Sequence, residues 1–154
     1  TNGIQALDFI GRKCLRDGGD GLSALLAEML ETASVASTTA EIHALLQSLK
    51  AAISQCQEAL TSVLAHPERS AYTAYSFMML VGNSVAYWLM VRLAVAAQGK
   101  IDQGSQERFY RQKIATAQFF AAQLLSRNSS YLSATLGSTD YMNNLGNEDF
   151  TTLY

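Results

Sequence analysis

Between Ile42 and Val63, seven apolar residues recur every three or four positions: Ile42, Leu45, Leu49, Ile53, Cys56, Leu60 and Val63. Side chains at that spacing fall on one face of a helix. The spacing predicts an amphipathic helix whose apolar stripe must be covered by other elements. Lys50, Gln55, Gln57 and Glu58 lie off the stripe or at its edge. Glu41 follows Thr38 at the spacing of a capping box, which marks the helix start. His66-Pro67-Glu68 ends it, because Pro67 lacks an amide proton and restricts the residue before it. Pro67 is the only proline, and strand-like alternation is weak throughout.

The rest of the chain fits around that helix. Alanine and leucine dominate, which favours helices. A first helix is predicted over about Gln5 to Leu15, with Asp17, Gly18 and Gly19 as its exit. Leu22 to Ala33 is helical again. The double glycine either kinks one helix or breaks it into two. Ser34 to Thr39 is a linker. After Pro67 a long helix runs from about Ala71 to Gln98, stopped by Gly99. Gly82 and Ser84 would allow a close crossing within it. Asp102 or Ser105 caps a further helix from about Gln106 to Leu132, with Tyr110, Ile114, Ala117, Ala121 and Leu124 on its inner face. Phe119 and Phe120 are adjacent and cannot both point inward. From Leu136 regularity fades into an irregular tail, anchored by Tyr141, Leu145 and Phe150. The predicted fold is all-α: a mostly antiparallel bundle of four or more helices with an irregular C-terminal tail.

Phe77 to Ala97 is the most hydrophobic stretch. Asn83, Ser84 and Arg92 interrupt it, so the expectation is a central bundle helix and no membrane span. The first residues carry no basic region followed by an apolar core, so no signal peptide is predicted. The formal charge is -2, and the Arg and Lys residues form no stripe, which argues against a nucleic-acid surface. Cys14 and Cys56 read as two small buried residues in a reducing compartment; a single bridge between helices is the alternative.

Groups able to do chemistry are few. His43 sits beside the apolar stripe and His66 at a helix exit, and two histidines alone make no metal cluster. A di-iron bundle needs Glu-x-x-His on two helices, and none occurs. Glu28 and Glu31 share a face of the kind that is usually solvated. Asp17 to Gly21, "DGGDG", lacks the later ligands of a calcium loop and reads as turn chemistry. Arg108, Arg111 and Lys113 form a cationic flank that either faces solvent or meets an acidic cofactor or another domain. No phosphate loop, dinucleotide fingerprint or nucleophile elbow is present. From the residues alone this is a packing module without a self-contained active site.

"TNGIQALDFIGRK", Thr1 to Lys13, resembles the acyl-CoA dehydrogenase family just after its catalytic glutamate. That family's wording is Tyr-Glu-Gly-Thr, a few residues, then Ile-Gln; Thr1, Ile4 and Gln5 fit its second part. Further along, Gly11 to Gly19, Gly82 to Ala94, Phe109 to Leu125 and Glu148 to Phe150 resemble successive blocks of an extra C-terminal helical domain. That domain, called acetyl-CoA dehydrogenase-like, is carried by a large-subunit branch that includes 3-methylmercaptopropionyl-CoA dehydrogenase-like proteins. The resemblance covers nearly the whole chain. Gln118 stands where such sequences often have arginine, and an amide cannot replace a guanidinium fork.

The resemblance implies that residues 1–17 end the dehydrogenase's helical domain and 18–154 form the appended bundle. It implies a parent enzyme that binds FAD and oxidises an acyl-CoA thioester to a trans-2-enoyl-CoA. The catalytic glutamate would precede Thr1 by two residues, so no catalytic residue is assigned in this chain, which is expected to be inactive and flavin-free alone. Thr1, Asn2, Gly3 and Gln5 would lie near the ribityl or phosphate region of the flavin, where backbone amides and a hydroxyl are apt donors. Gly3 alternatively serves only a turn. The implied partners are the remaining domains of the flavoenzyme, the acyl-CoA and further copies in a homo-oligomer, in the cytoplasm. If the chain is part of such an enzyme, the first helix should carry an apolar scar through Ile4, Leu7, Phe9 and Ile10. The alternative function is a stand-alone helical interaction module.

Overall fold

The structure, a computed structural model, describes residues 1–105 and 108–138. Six α-helices and no strand occur among them. They are α1 (Asn2–Asp8), α2 (Asp20–Ala33), α3 (Ala40–Ala65), α4 (Ser70–Asp102), α5 (Arg108–Gln123) and α6 (Asn128–Leu136). The all-α expectation holds. The anchors Tyr141, Leu145 and Phe150, and the tail they belong to, lie outside the described residues.

All seven stripe residues of α3 are buried. They face α4, α2 and α6. The helix starts one residue later than the capping-box reading places it. Thr39, with extended backbone, is the N-cap, and its hydroxyl accepts from the Ile42 amide at 3.2 Å. Glu41 then falls at the second helical position, where its charge favours the helix N-terminus but cannot complete a box.

α1 continues without interruption into a wider π-turn over Phe9–Leu15, where backbone bonds close five residues apart. The wide turn keeps Ala6, Ile10 and Cys14, four residues apart, in one buried row. The double glycine then ends the helix outright. Gly18 and Gly19 take φ of 67° and 84°, a left-handed conformation that side chains resist. Asp17 secures the turn by accepting from the amides of Gly19 at 3.0 Å and Gly21 at 3.1 Å. The turn reading of "DGGDG" is thereby explained: the carboxylate is engaged by backbone donors.

α4 is the axis of the fold and packs against each of the other five helices. It supplies Phe77, Leu80, Tyr87 and Val91 to the core. Burying a side chain of this kind stabilises by roughly 1.5–3 kcal/mol. Phe77 meets Phe9 at 5.5 Å between ring centroids, and Tyr87 stacks on Phe120 at 6.0 Å. The Trp88 indole donates to the Thr32 hydroxyl at 2.8 Å. Pro67–Asp102 is long and apolar enough to cross a membrane by length and composition. Packing against the other five helices accounts for the apolar residues on its inner faces. Gly99 does not stop α4. It keeps helical dihedrals, and the chain turns only at Gly104, whose φ is 94°. Asp102 is therefore the last residue of α4, not a cap of α5, and its carboxylate accepts from the Gln98 side-chain Nε2 at 2.7 Å.

The helix expected to run to Leu132 is two helices. α5 ends at Gln123, a 3-10 turn spans Leu125–Arg127, and α6 begins at Asn128. Ile114 and Ala117 are buried, while Tyr110, Ala121 and Leu124 are half-buried. Phe119 points outward and Phe120 inward, as adjacency requires.

Candidate functional site

The break between α5 and α6 has a polar cause. Asn128 is buried and donates to the Ser84 hydroxyl at 2.9 Å, while accepting from the Asn83 amide at 3.3 Å. Ser84 in turn donates to the Leu80 carbonyl at 2.8 Å, and the Cys56 thiol approaches its oxygen at 3.3 Å. One polar knot thus ties α3, α4 and α6 together inside an apolar core. Groups this deep are tolerated only when paired, and each is. In the sequence Ser84 stands out only as a small residue for a crossing, and Asn128 does not stand out. The signal available was an asparagine preceded by "LLSR" in an otherwise helical run.

Nothing in the knot is poised to react. Burial pushes the Cys56 thiol up to about 11 against a weak opposing pull from Ser84. Burial, helped by the Asp17 charge, does the same to Cys14. Both are free thiols, so the bridge alternative is not what the structure has. Tyr87 is pushed up to about 12 by burial, and its hydroxyl donates to the Leu45 carbonyl at 3.1 Å. These are neutral groups at physiological pH and serve packing.

The sequence-assigned cofactor contacts sit together at the start of α1. Thr1, Asn2, Gly3 and Gln5 are all exposed. Thr1 caps the helix by position only, its hydroxyl making no cap hydrogen bond. The first helical bond is Gln5 N–H to the Thr1 carbonyl at 3.1 Å. The amides ahead of it have no intrahelical acceptor. Behind them, Ala6, Ile10 and Cys14 fasten α1 into the core, while Ile4 is 76% and Leu7 50% exposed. The expected apolar scar is therefore Ile4 and Leu7; Ile10 is buried in the bundle, and Phe9 is half-buried against Phe77.

The cationic flank of α5 is not one flank. Five residues of helix separate Arg108 from Lys113 and turn them to different sides. Arg111 lines a groove of about 300 Å³ with Thr39, Glu41, Gln98 and Gln118. Lys113 instead lies over the Phe109 ring at 4.7 Å from its centroid. Gln118 and Glu41 both line that groove. Glu28 and Glu31 are exposed. His43 is exposed, with Nδ1 3.4 Å from the Ser37 hydroxyl, and His66 lies 3.3 Å from Glu68. Among the described residues no three His, Cys, Asp or Glu side chains converge.

The family described as acetyl-CoA dehydrogenase C-terminal like matches residues 25–145. A 3-methylmercaptopropionyl-CoA dehydrogenase of Ruegeria pomeroyi is 34% identical over 136 residues, covering 81% of this chain and 22% of that protein. A broad-specificity linear acyl-CoA dehydrogenase of Mycobacterium tuberculosis is 30% identical over 138 residues, covering 81% of this chain and 23% of that protein. The chain thus spans between a fifth and a quarter of the length of these relatives. A match over most of the chain, on an all-helical bundle, makes this chain a member of the acyl-CoA dehydrogenase C-terminal-like domain family.

Proposed function

We propose that this chain is the C-terminal structural domain of an FAD-dependent acyl-CoA dehydrogenase that oxidises an acyl-CoA thioester to trans-2-enoyl-CoA. Residues 1–17 read as the end of the dehydrogenase's helical domain and 18–154 as the appended bundle. The observation that carries this is the seating of α1: Ala6, Ile10 and Cys14 are at most 1% exposed in the bundle core, while Ile4 and Leu7 face away from it. One helix is thereby gripped from one side and offers apolar surface on the other, as a connector between two packed units must.

FAD, when bound, supplies the acceptor for the β-hydride. The residues of this chain that suit contact with it are Thr1, Asn2, Gly3 and Gln5, through the hydroxyl, first-turn amides and the Gln5 side chain. The base that takes the α-proton belongs to the segment before Thr1 in this reading, so the chain holds position and contributes no catalytic group. The bundle fixes the direction of α1, and with it the donors at its start. The whole enzyme is proposed to be a cytoplasmic homo-oligomer without a membrane span.

The test is made on the protein as its gene encodes it. It should purify with bound flavin and reduce an artificial electron acceptor when given an acyl-CoA; the 154-residue chain alone should do neither. A gene product without flavin, or turnover by the chain alone, refutes the proposal. A second reading, a stand-alone interaction module, draws support from the exposed apolar side of α4 (Leu89, Leu93). It predicts a flavin-free gene product that still binds a protein.

A further inference from the structure

The outer side of α4 carries a second apolar stripe that the described residues leave open. Tyr75, Met79, Gly82, Ala86, Leu89, Leu93, Ala96 and Lys100 follow one another at steps of four, three, four, three, four, three and four. That is the heptad spacing of a helix seam. None of them is buried; Tyr75, Leu89 and Leu93 are 47%, 44% and 47% exposed. Gly82 adds an independent clue. It is not a turn residue, and a Cβ placed on it would meet nothing within 4 Å. Among the described residues nothing requires glycine there, although glycine weakens a helix interior. Something outside the chain that approaches closely would require it.

The seam is complementary to itself. Laid antiparallel on a second α4 with a two-fold axis at Ala86, Leu89 falls opposite Gly82 of the second copy, and Ala96 opposite Tyr75. Leu93 falls opposite Met79, and Lys100 reaches the ring of Tyr72, which is 49% exposed. Large residues meet small ones, and each cation meets an aromatic face. The small residues Gly82 and Ala86 sit at the crossing, where backbones come nearest. The reverse, parallel arrangement would stack Lys100 on Lys100; the antiparallel one holds them about 42 Å apart. From Tyr72 to Lys100 the strip is about 42 Å long and about 10 Å wide, on the order of half the footprint of a standard interface. Alone it makes a modest contact, suited to joining copies that other surfaces also bring together.

We propose that α4 pairs with α4 of a second copy of this protein, antiparallel, about a two-fold axis at Ala86. This stands whether or not the flavoenzyme reading does. Single cysteines introduced into the gene product, followed by mild oxidation, test it; native Cys14 and Cys56 are buried. Ala86→Cys should give a disulfide-linked dimer in most of the protein, since position 86 faces its own copy on the axis. Lys100→Cys should give none, its copy being about 42 Å away. A mixture of Tyr75→Cys and Ala96→Cys proteins should cross-link to each other. Equal cross-linking at 86 and 100, or none at 86, overturns the proposal. If position 86 fails to cross-link, maleimide labelling distinguishes a face covered by another part of the protein (protected) from a bare one (labelled). Protection by vesicles of anionic lipid would mean a membrane surface. Each of those results also refutes self-pairing.

Discussion

α3 and α4 lie side by side, yet they use apolar residues in opposite ways. α3 keeps one stripe, buries all of it, and shows Lys50, Gln57 and Glu58 to solvent. α4 is apolar on every side. Its inner faces carry Phe77, Leu80, Tyr87 and Val91, and its outer face carries Leu89 and Leu93. The first pattern is that of a helix with one neighbouring surface, the second that of a helix with neighbours on both sides. Replacing residues on the two faces of α4 should separate these roles.

The largest effect is expected on the inner face. Phe77→Ala removes a ring that is 0% exposed and packed on Phe9. It should destabilise the bundle by about 3–5 kcal/mol, read by urea unfolding followed by circular dichroism. Leu93→Ala on the outer face should change the same measurement by under about 1 kcal/mol. Similar losses at both positions would erase the distinction between the faces.

Alkaline pH should act through the buried side. The Cys56 thiol is held neutral in the fold, raised from 9.0 to about 11 by burial. The unfolded chain releases that proton first as pH rises. The stabilisation is therefore complete below about pH 9 and is lost as pH climbs through about 11, a change on the order of 2 kcal/mol. Cys14 adds to the same window, and Tyr87 follows from 10.0 to about 12. Unfolding measured at pH 8 and pH 11 should show a smaller loss in Cys56→Ala than in the unaltered protein. An equal loss would mean the thiol is not a source of the pH dependence.

Within the inner side, the polar knot should be worth less than the ring but should be coupled. Asn128→Ala should cost about 1–2 kcal/mol, since Asn83 and Ser84 both lose a partner. Combined with Ser84→Ala, the loss should fall short of the sum by about 0.5 kcal/mol or more. Strict additivity would say the hydrogen bonds seen here do not act together.

The same contrast decides what could be read from residues alone. α3 was legible because a single stripe produces a clean period, and its cap missed by one residue only because Thr38 and Thr39 compete for the same role. α4 was legible as a helix but not in extent: Gly99 is as good a stop signal as Gly104, and only the backbone at Gly104 turns left-handed. The α5–α6 break was hidden because periodicity registers apolar residues, and here a buried asparagine sets the chain's path. The outer seam of α4 was invisible for a different reason. When every face is apolar, no period singles out the face left open, and exposure must be seen. Thr1 to Gln5 carry no chemistry that names a flavin; their assignment came from the wording around Ile4 and Gln5.

The smallest expected change is also the sharpest division between the two faces. At Gly82 the helix has ordinary right-handed geometry and open space where a Cβ would stand. Gly82→Ala should therefore raise the stability of the unpaired bundle by about 0.5–1 kcal/mol, because alanine loses less backbone freedom on folding. If the outer seam pairs across Ala86, the new methyl groups stand where Leu89 of the second copy must enter. Disulfide formation through Ala86→Cys should then drop several-fold in the Gly82→Ala background, while the melting temperature rises. A residue that served only the fold could not move the two readouts in opposite directions. If Gly82→Ala raises the melting temperature and leaves cross-linking untouched, the glycine has no external partner, and the outer face of α4 loses its best reason for being small at its centre.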